Sequence, residues 1–162
     1  MVWKPDTTVA AVIEREGRFL LVEERIRGRL VFNQPAGHLE DHESLLAAVV
    51  REVQEETAWV FEPQWLLGIY LWRSPSGHST LRFAFIGAIR DFDPNRKLDP
   101  PIIRTHWLAR AELLARSERL RSPLVLHCID DYLSGTRLPL AAITALPGAA
   151  TMAPWQLPPP SA

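Results

Sequence analysis

The chain has 162 residues, of which 47% are hydrophobic and 23% are charged, and its formal net charge is −1. This composition is typical of a globular protein with one core and argues against a wholly disordered chain. No stretch approaches the ~20 apolar residues of a transmembrane helix, so we expect no membrane partner. The near-zero charge, without a basic stripe, gives no case for a nucleic-acid partner. The single cysteine, Cys128, and the absence of a visible signal peptide favour a cytoplasmic location.

The first part of the chain predicts three strands followed by one helix. Apolar runs predict strands over 7–13 and 18–24, joined by a Gly-containing turn at 14–17. A short strand follows over 30–33. Residues 44–57 have helical spacing and contain neither Gly nor Pro, so they predict a helix.

The second part predicts further strands and two helices. Strands over 65–73 and 80–90 flank a Ser-Pro-Ser-Gly turn, and another strand covers 103–108. Helices are expected over 109–115 and 123–133. Strands occur both in hairpins and beside helices, which favours an α/β fold with a mixed sheet covered by helices.

The C-terminal segment differs from the rest of the sequence. No charged residue follows Arg137, and prolines recur at five positions within 147–162. We therefore expect one domain over 1–146 and an extended proline-rich tail over 147–162.

The helix over 44–57 carries a cluster of three acids. Glu52, Glu55 and Glu56 are spaced i, i+3, i+4, so their carboxylates are neighbours at the border of the apolar face. They lie at the negative end of the helix dipole, where each is disfavoured by roughly 0.3–1 kcal/mol. A divalent cation would offset this unfavourable interaction of the carboxylates with the helix dipole. Three hard oxygen donors suit Mg²⁺ or Mn²⁺ better than zinc. The alternative is a solvated acidic face.

Arg51 belongs to the same cluster. Its side chain can reach Glu55 at i+4 and can reach back to Glu43. It either holds metal ligands in place or forms a surface ion pair worth under ~1 kcal/mol.

These residues resemble the signature of the Nudix hydrolases, G-x5-E-x7-R-E-U-x-E-E-x-G-U, in which U is a bulky apolar residue. The matching positions are Gly37, Glu43, Arg51, Glu52, Val53, Glu55, Glu56 and Trp59. Ala58 stands where the family has glycine, which normally supplies a left-handed turn. Alanine adopts that turn at a cost of about 1–2 kcal/mol, so some stability should be lost, while every acid of the signature is intact.

Further segments within roughly 5–140 resemble the NudJ branch of this family, a group of bacterial phosphatases. The segments are 22–24, 32–40, 81–83, 121–125 and 134–135. The resemblance implies a Nudix α/β/α sandwich around a mixed β-sheet. It also implies a Mg²⁺-dependent hydrolase, with Mn²⁺ as the alternative metal. Members of the branch cleave nucleoside tri- and diphosphates and hydroxymethylpyrimidine pyrophosphate, and they release inorganic phosphate.

The resemblance also implies residue roles. The metal ligands would be the carboxylates of Glu52, Glu55 and Glu56 and the carbonyl of Gly37. Glu43 would hydrogen-bond Arg51 and orient the cluster. Glu55 is the first candidate for the catalytic base, and the loop acids Asp93 and Asp99 are the others.

Four polar residues are candidates for substrate binding: Glu24, Asn33, Gln34 and Arg82. Arg82 faces away from the apolar row of its strand and could neutralise phosphate, or it could be a surface arginine. Asn33 and Gln34 could contact substrate or be ordinary strand-end residues, and Glu24 ends a strand near the expected cleft.

Several other aromatic, imidazole and thiol side chains are not expected to act in the site. Trp72 could stack on a base, although packing in the core is favoured. His38 and His42 flank the signature without convincing metal spacing. His127 and Cys128 lie in an apolar helix and are expected in the core.

Other functions stay open at this point. The chain could be a Nudix enzyme acting on ADP-ribose or oxidised nucleotides, a non-catalytic nucleotide-sensing Nudix domain, or an RNA-processing pyrophosphohydrolase. Sensing domains usually lose signature acids, and this sequence loses none. We expect a small-molecule nucleotide or pyrimidine pyrophosphate as the partner, bound by a monomer or a homodimer.

Overall fold

The computed structural model describes residues 3–146. The strands are β1 (Asp6–Val12), β2 (Glu14–Arg15), β3 (Arg18–Ile26), β4 (Arg29–Asn33), β5 (Ala36–His38), β6 (Val60–Arg73), β7 (Ser79–Arg90) and β8 (Ile102–Ala109). The α-helices are α1 (Leu45–Thr57), α2 (Arg110–Leu114) and α3 (Leu124–Leu133). Short 3₁₀ helices cover Ser117–Arg119 and Leu140–Ala142. The predicted tail over 147–162 lies outside the described residues, so the domain boundary stays a prediction.

The strands form two sheets. The first is mixed, in the order β5-β1-β7-β6, with β1 parallel to β7 and the other pairs antiparallel. The second is built around β3, which pairs with β2, β4 and β8, all antiparallel. Among residues 3–146, no helix is both long enough and apolar enough to cross a membrane.

Helices cover both faces of these strands. In β1, Val9 and Ala11 pack into one apolar cluster with Val49 of α1. Val12 instead packs into a second cluster with Val125 of α3. Successive side chains of a strand point to opposite faces, so β1 is apolar throughout because it is buried on both sides. This is the α/β/α sandwich with a mixed sheet that the sequence predicted.

Every predicted helix and strand is present, with boundaries shifted by one or two residues in most cases. Three strand segments were missed, and the first is β2, which lies in the predicted turn over 14–17. β5 falls in a stretch that resembles a loop because Pro35 directly precedes it. β6 begins at Val60 rather than at residue 65 and contains Pro63, beside which the pairing register shifts. Proline removes a strand donor, which is why such an irregularity accommodates it.

Candidate active site

A cleft of about 1040 Å³ lies beside α1 and receives side chains from both sheets. Its lining includes the α1 residues Arg51, Glu52, Glu55 and Glu56. The cleft has the size of a small-molecule site.

Both ends of α1 are fixed by local hydrogen bonds. Ser44 caps the N-terminus, where its hydroxyl accepts the N–H of Ala47 at 3.1 Å. Ala58 ends the helix in the left-handed conformation, with φ 63°, and its N–H donates to the carbonyl of Gln54 at 3.0 Å. Alanine therefore adopts the turn for which glycine is preferred, and α1 keeps its acids at the cleft.

The guanidinium of Arg51 lies at the centre of the acid cluster. Its Nε and Nη2 donate to the two oxygens of Glu43 at 3.1 and 2.7 Å. Its Nη1 donates to Glu52 at 2.8 Å and to Glu55 at 3.0 Å. Its Nη2 also donates to the carbonyl of His38 at 3.0 Å. Both contacts predicted for Arg51, to Glu43 and to Glu55, are present.

Burial and pairing act differently on the carboxylates. Hydrogen bonds from Arg51 hold the pKa of Glu43 below its usual range. Burial raises the pKa of Glu52, although Arg51 opposes this. Burial raises the pKa of Glu56 to about 9, even though the Ala36 N–H donates to it at 2.9 Å. A cation beside so deeply buried a carboxylate would favour its charged form.

The chemistry of these donors fits a hard divalent cation. Among the described residues, no three carboxylate, imidazole or thiol groups converge as ready-made metal ligands. Nη1 of Arg51 donates to both Glu52 and Glu55. Gly37 packs directly on the acid cluster: a Cβ there would lie 2.0 Å from Oε1 of Glu52. A glycine at this point lets the backbone and the carboxylate approach closely. The oxygen donors at this point are of the hard type that Mg²⁺ or Mn²⁺ prefers.

The wall of the cleft away from α1 is polar and deeply buried. The buried polar side chains among the lining residues are Thr8, Glu24, Asn33, Arg82 and Ser122. Arg82 is only 5% exposed, so it is not a surface arginine. It lies on the strand face that α3 covers, next to Cys128.

Gln34 contacts Arg82 without lining the cleft itself. It is 1% exposed, and its side-chain amide donates to the carbonyl of Val125 at 2.8 Å. Its Oε1 accepts a hydrogen bond from Nη1 of Arg82 at 3.3 Å. Gln34 is not among the described residues that line the cleft, unlike Asn33 and Arg82.

Comparison with known proteins gives the family of this fold and site. The sequence profile of the NUDIX domain matches residues 3–127. The chain belongs to the Nudix family. The phosphatase NudJ of Escherichia coli and that of Shigella sonnei are each 42% identical to it over 142 residues, which is 88% of this chain and 92% of theirs. A solved NUDIX hydrolase from Nitrosomonas europaea is 49% identical, with a TM-score of 0.86 over 88% of this chain and 98% of that one.

These relatives confirm the Nudix fold and the resemblance to NudJ. The chain is a hydrolase that acts on phosphoanhydride bonds. The remaining candidate residues of this Nudix hydrolase lie partly at the cleft and partly outside it.

The two loop acids differ in position. Asp99 lines the cleft, and its N–H donates to the carbonyl of Glu55 at 3.0 Å. Asp93 is exposed and is not among the described residues of the cleft wall; its N–H donates to the carbonyl of Ala58. Of the two loop acids, Asp99 is therefore the one that lies at the cleft.

The structure also places the aromatic, imidazole and thiol side chains that the sequence singled out. Trp72 is half-buried and lines the cleft, so the favoured assignment to the core is wrong. His127 is exposed, which is also contrary to expectation, whereas Cys128 is buried in the core as predicted. His38 lines the cleft, and His42 lies on an exposed turn beside Asp41.

The sequence analysis did not identify several polar residues of the cleft. Thr8 and Ser122 line its buried wall, and His78 lies at the cleft with Nε2 at 2.6 Å from Oδ2 of Asp6. Thr8 could have been identified from the sequence, because it is a polar residue inside the apolar strand β1. Ser122 carries no comparable pattern, because a serine before Pro123 is also typical of a helix start.

Proposed function

We propose that this Nudix hydrolase is a Mg²⁺-dependent phosphatase of nucleoside tri- and diphosphates and of hydroxymethylpyrimidine pyrophosphate, and that it releases inorganic phosphate. The observation that carries the proposal is the acid cluster of α1, joined by Arg51 and facing a cleft of about 1040 Å³. The relatives named phosphatase NudJ support a phosphatase activity.

The proposed metal ligands are the carboxylates of Glu52, Glu55 and Glu56 with the carbonyl of Gly37. A bound divalent cation would polarise the phosphate oxygens and assist deprotonation of the attacking water. The chain contributes the positioning of these donors. Arg51 fixes Glu43, and through it the loop before α1, while also orienting Glu52 and Glu55.

Glu55 is the proposed catalytic base. Its side chain is 27% exposed, compared with 12% for Glu52, so water reaches it more readily. Asp99 is the second candidate, because it lines the same cleft next to Glu55. A base of either kind takes the proton of the water that attacks phosphorus, and the phosphoanhydride bond then breaks.

Glu24, Asn33 and Arg82 are proposed to bind the substrate, because all three line the cleft. Gln34 is proposed to position Arg82, since it contacts that guanidinium and lies behind it. Trp72 offers an aromatic face in the same cleft.

The test is the identity of the released phosphate. The protein is incubated with GTP, GDP or hydroxymethylpyrimidine pyrophosphate, with and without Mg²⁺, and products are identified by phosphorus NMR. We expect inorganic phosphate that requires Mg²⁺ and that is lost in Glu55→Gln. The matched control is Glu118→Gln, an exposed carboxylate outside the cleft lining, which should behave like the wild type.

Other products would point to other functions. Release of pyrophosphate and GMP from GTP would be consistent with a Nudix hydrolase but would contradict the proposed release of inorganic phosphate. Hydrolysis of ADP-ribose alone would assign the chain to that substrate. Binding without turnover of any of these compounds would support a sensing domain.

A further inference from the structure

Arg82 is a buried cation without an anionic partner. It is 5% exposed, and among residues 3–146 it forms no ion pair with a carboxylate. Its Nη1 donates to the neutral amide of Gln34 at 3.3 Å, and its Nε has no hydrogen-bond partner. Burial lowers the pKa of Arg82, but a guanidinium keeps its charge in proteins. Buried charges are nearly always paired, so Arg82 lacks a counter-ion that a bound anion would supply.

Glu24 lies near Arg82 but pairs with a different arginine. Its Oε1 lies 3.8 Å from Nε of Arg121, which lines the same cleft. Burial raises the pKa of Glu24, and the charge of Arg121 opposes this more strongly than that of Arg82. Two guanidiniums therefore face one carboxylate here, and this balance favours an anionic ligand over a neutral ring.

The other acids of the cleft have different partners. They are Asp6, Glu40, Glu52, Glu55, Glu56 and Asp99. The three acids of α1 are the proposed ligands of the cation. Asp6 contacts His78 at 2.6 Å, and Glu40 lies 3.9 Å from Nη1 of Arg51. The backbone N–H of Asp99 donates to Glu55. These acids leave the charge of Arg82 unpaired.

The start of α3 adds hydrogen-bond donors beside Arg82. The helix begins at Leu124, and no side chain caps it. Leu124 and Ser122 line the cleft, and the Ser122 hydroxyl is buried without a partner. The carbonyl of Val125, in the first turn, accepts the amide of Gln34, which also contacts Arg82. The positive end of a helix, a free hydroxyl and a guanidinium thus lie together, and phosphate is an anion that such a helix end binds.

This group of donors borders the acids of α1. Burial dominates the pKa of Arg82 and that of Glu56, and the charge of Glu24 contributes to both. Glu24 therefore lies within interaction range of each. A phosphate at Arg82 would lie in the same cleft as a cation at Glu56.

We infer that Arg82, Ser122 and the N-terminus of α3 form a pocket for the terminal phosphoryl group of the substrate. The inference rests on the proposed function, because that group is the one released as inorganic phosphate. The oxygen of the attacking water forms a bond to this phosphorus while the bond from phosphorus to the bridging oxygen breaks. The bridging oxygen keeps the electron pair and leaves with the shorter nucleotide, and the water proton passes to the base.

Binding of inorganic phosphate without a divalent metal tests the pocket apart from hydrolysis. Phosphate is titrated with the protein in the presence of EDTA, and phosphorus NMR gives the dissociation constant. The wild type and Glu118→Gln should bind alike. Arg82→Gln should bind about 10–100-fold more weakly, as expected for lost hydrogen bonds between charged groups. Ser122→Ala should bind about 3–10-fold more weakly, because it loses one neutral donor.

The two variants keep the inference open to refutation. The Ser122 hydroxyl has no partner in the structure, so Ser122→Ala should unfold in urea like the wild type and decides the matter if Arg82→Gln does not fold. No measurable binding of phosphate to the wild type would overturn the inference. Unchanged affinity in either variant that folds would also overturn it.

Two further comparisons separate this pocket from other sites. Guanosine and free hydroxymethylpyrimidine carry no phosphate, so Arg82→Gln should not change their binding. Rings that bind through Arg82 while phosphate does not would assign the wall to the ring. Glu52→Gln/Glu56→Gln should bind phosphate without metal at least as well as the wild type. If phosphate binding instead requires Mg²⁺ and is lost in that double variant, the phosphate is held by the cation and the inference is wrong.

Failure of the proposed function gives a different result. If phosphate binds through Arg82 and Ser122 but GTP yields no inorganic phosphate, the pocket stands and the phosphatase is rejected. If GTP yields inorganic phosphate while phosphate binding is independent of Arg82 and Ser122, the phosphatase stands and the pocket is rejected.

Discussion

Arg51 donates hydrogen bonds to both oxygens of Glu43, from Nη2 to Oε1 at 2.7 Å and from Nε to Oε2 at 3.1 Å. The remaining arm of the guanidinium reaches Glu52 and Glu55. One planar cation thus fixes the loop before α1 and two acids of its last turns, an arrangement that a lysine ammonium cannot reproduce.

The first prediction concerns the guanidinium of Arg51. Arg51→Lys should lower kcat for GTP by about 10–100-fold, as is typical when groups that orient metal ligands are removed. The KM should change by less than about 3-fold, because Arg51 is proposed to act through the glutamates. Steady-state kinetics measure both constants, with Arg73→Lys on an exposed strand end as the control. An unchanged kcat would show that Arg51 is only an ion-pair partner.

The second prediction concerns Gly37, whose added Cβ would lie 2.0 Å from Oε1 of Glu52. In Gly37→Ala the flexible end of Glu52 should move aside, so the fold survives but the Mg²⁺ concentration for half-maximal activity rises. Gly28→Ala is the control: its Cβ meets nothing within 4 Å, but its φ of 81° strains an alanine. That control should lose stability and keep the Mg²⁺ requirement. The reverse outcome would contradict the assignment of Gly37 to the metal site.

The third prediction concerns Ala58, which is buried and has a φ of 63°. Ala58→Gly relieves about 1–2 kcal/mol of left-handed strain and loses about 0.8 kcal/mol of methyl burial. We expect a net gain of a few tenths to about 1 kcal/mol in the free energy of unfolding, measured with urea. Ala47→Gly, inside α1, should lose roughly 0.5–1 kcal/mol instead. A destabilised Ala58→Gly would show that the turn is unstrained.

The fourth prediction concerns Glu23, a 2% exposed carboxylate held by Arg104 at 2.8 Å and Arg119 at 2.6 Å. Burial alone would raise its pKa, but hydrogen bonds from Arg104, His106 and Arg119 lower the pKa from 4.5 to about 2. A carboxylate whose pKa is lower in the folded state stabilises the fold above its unfolded pKa. That contribution is lost as the pH falls from about 4.5 through about 2.

Urea unfolding across this pH range tests Glu23. The wild type should lose on the order of 3 kcal/mol from this group, and Glu23→Gln should lack that part of the pH dependence. The variant should also be less stable at neutral pH, because two arginines lose their partner. Glu118→Gln should retain the wild-type acid profile. Equal slopes in Glu23→Gln and the wild type would contradict the pKa shift.

The acid cluster was predictable because it depends on one helix. The spacing of Glu52, Glu55 and Glu56 defines their relation wherever α1 packs, and the contact of Arg51 with Glu55 follows from i, i+4 geometry. The boundaries of α1 were also predictable, because Ser44 is a good N-cap.

The buried wall was only partly predictable because it depends on what covers a strand face. Alternation correctly indicated that Arg82 faces away from the row of Phe83 and Phe85, but not that α3 closes over that face. Gln34 was identified as polar and near the site, yet its place behind Arg82 depends on contacts between distant segments. Trp72 was assigned to the core because no local pattern distinguishes a cleft wall from a core.

The most direct test of the account is Mn²⁺ binding measured by electron paramagnetic resonance, with Mg²⁺ as competitor. The account predicts that the wild type and Glu118→Gln bind Mn²⁺ alike, and that Mg²⁺ displaces it. The double variant Glu52→Gln/Glu56→Gln should bind at least about 10-fold more weakly, because charged oxygen donors are replaced by neutral amides. Equal Mn²⁺ affinity in the double variant and the wild type would contradict the placement of the metal at α1.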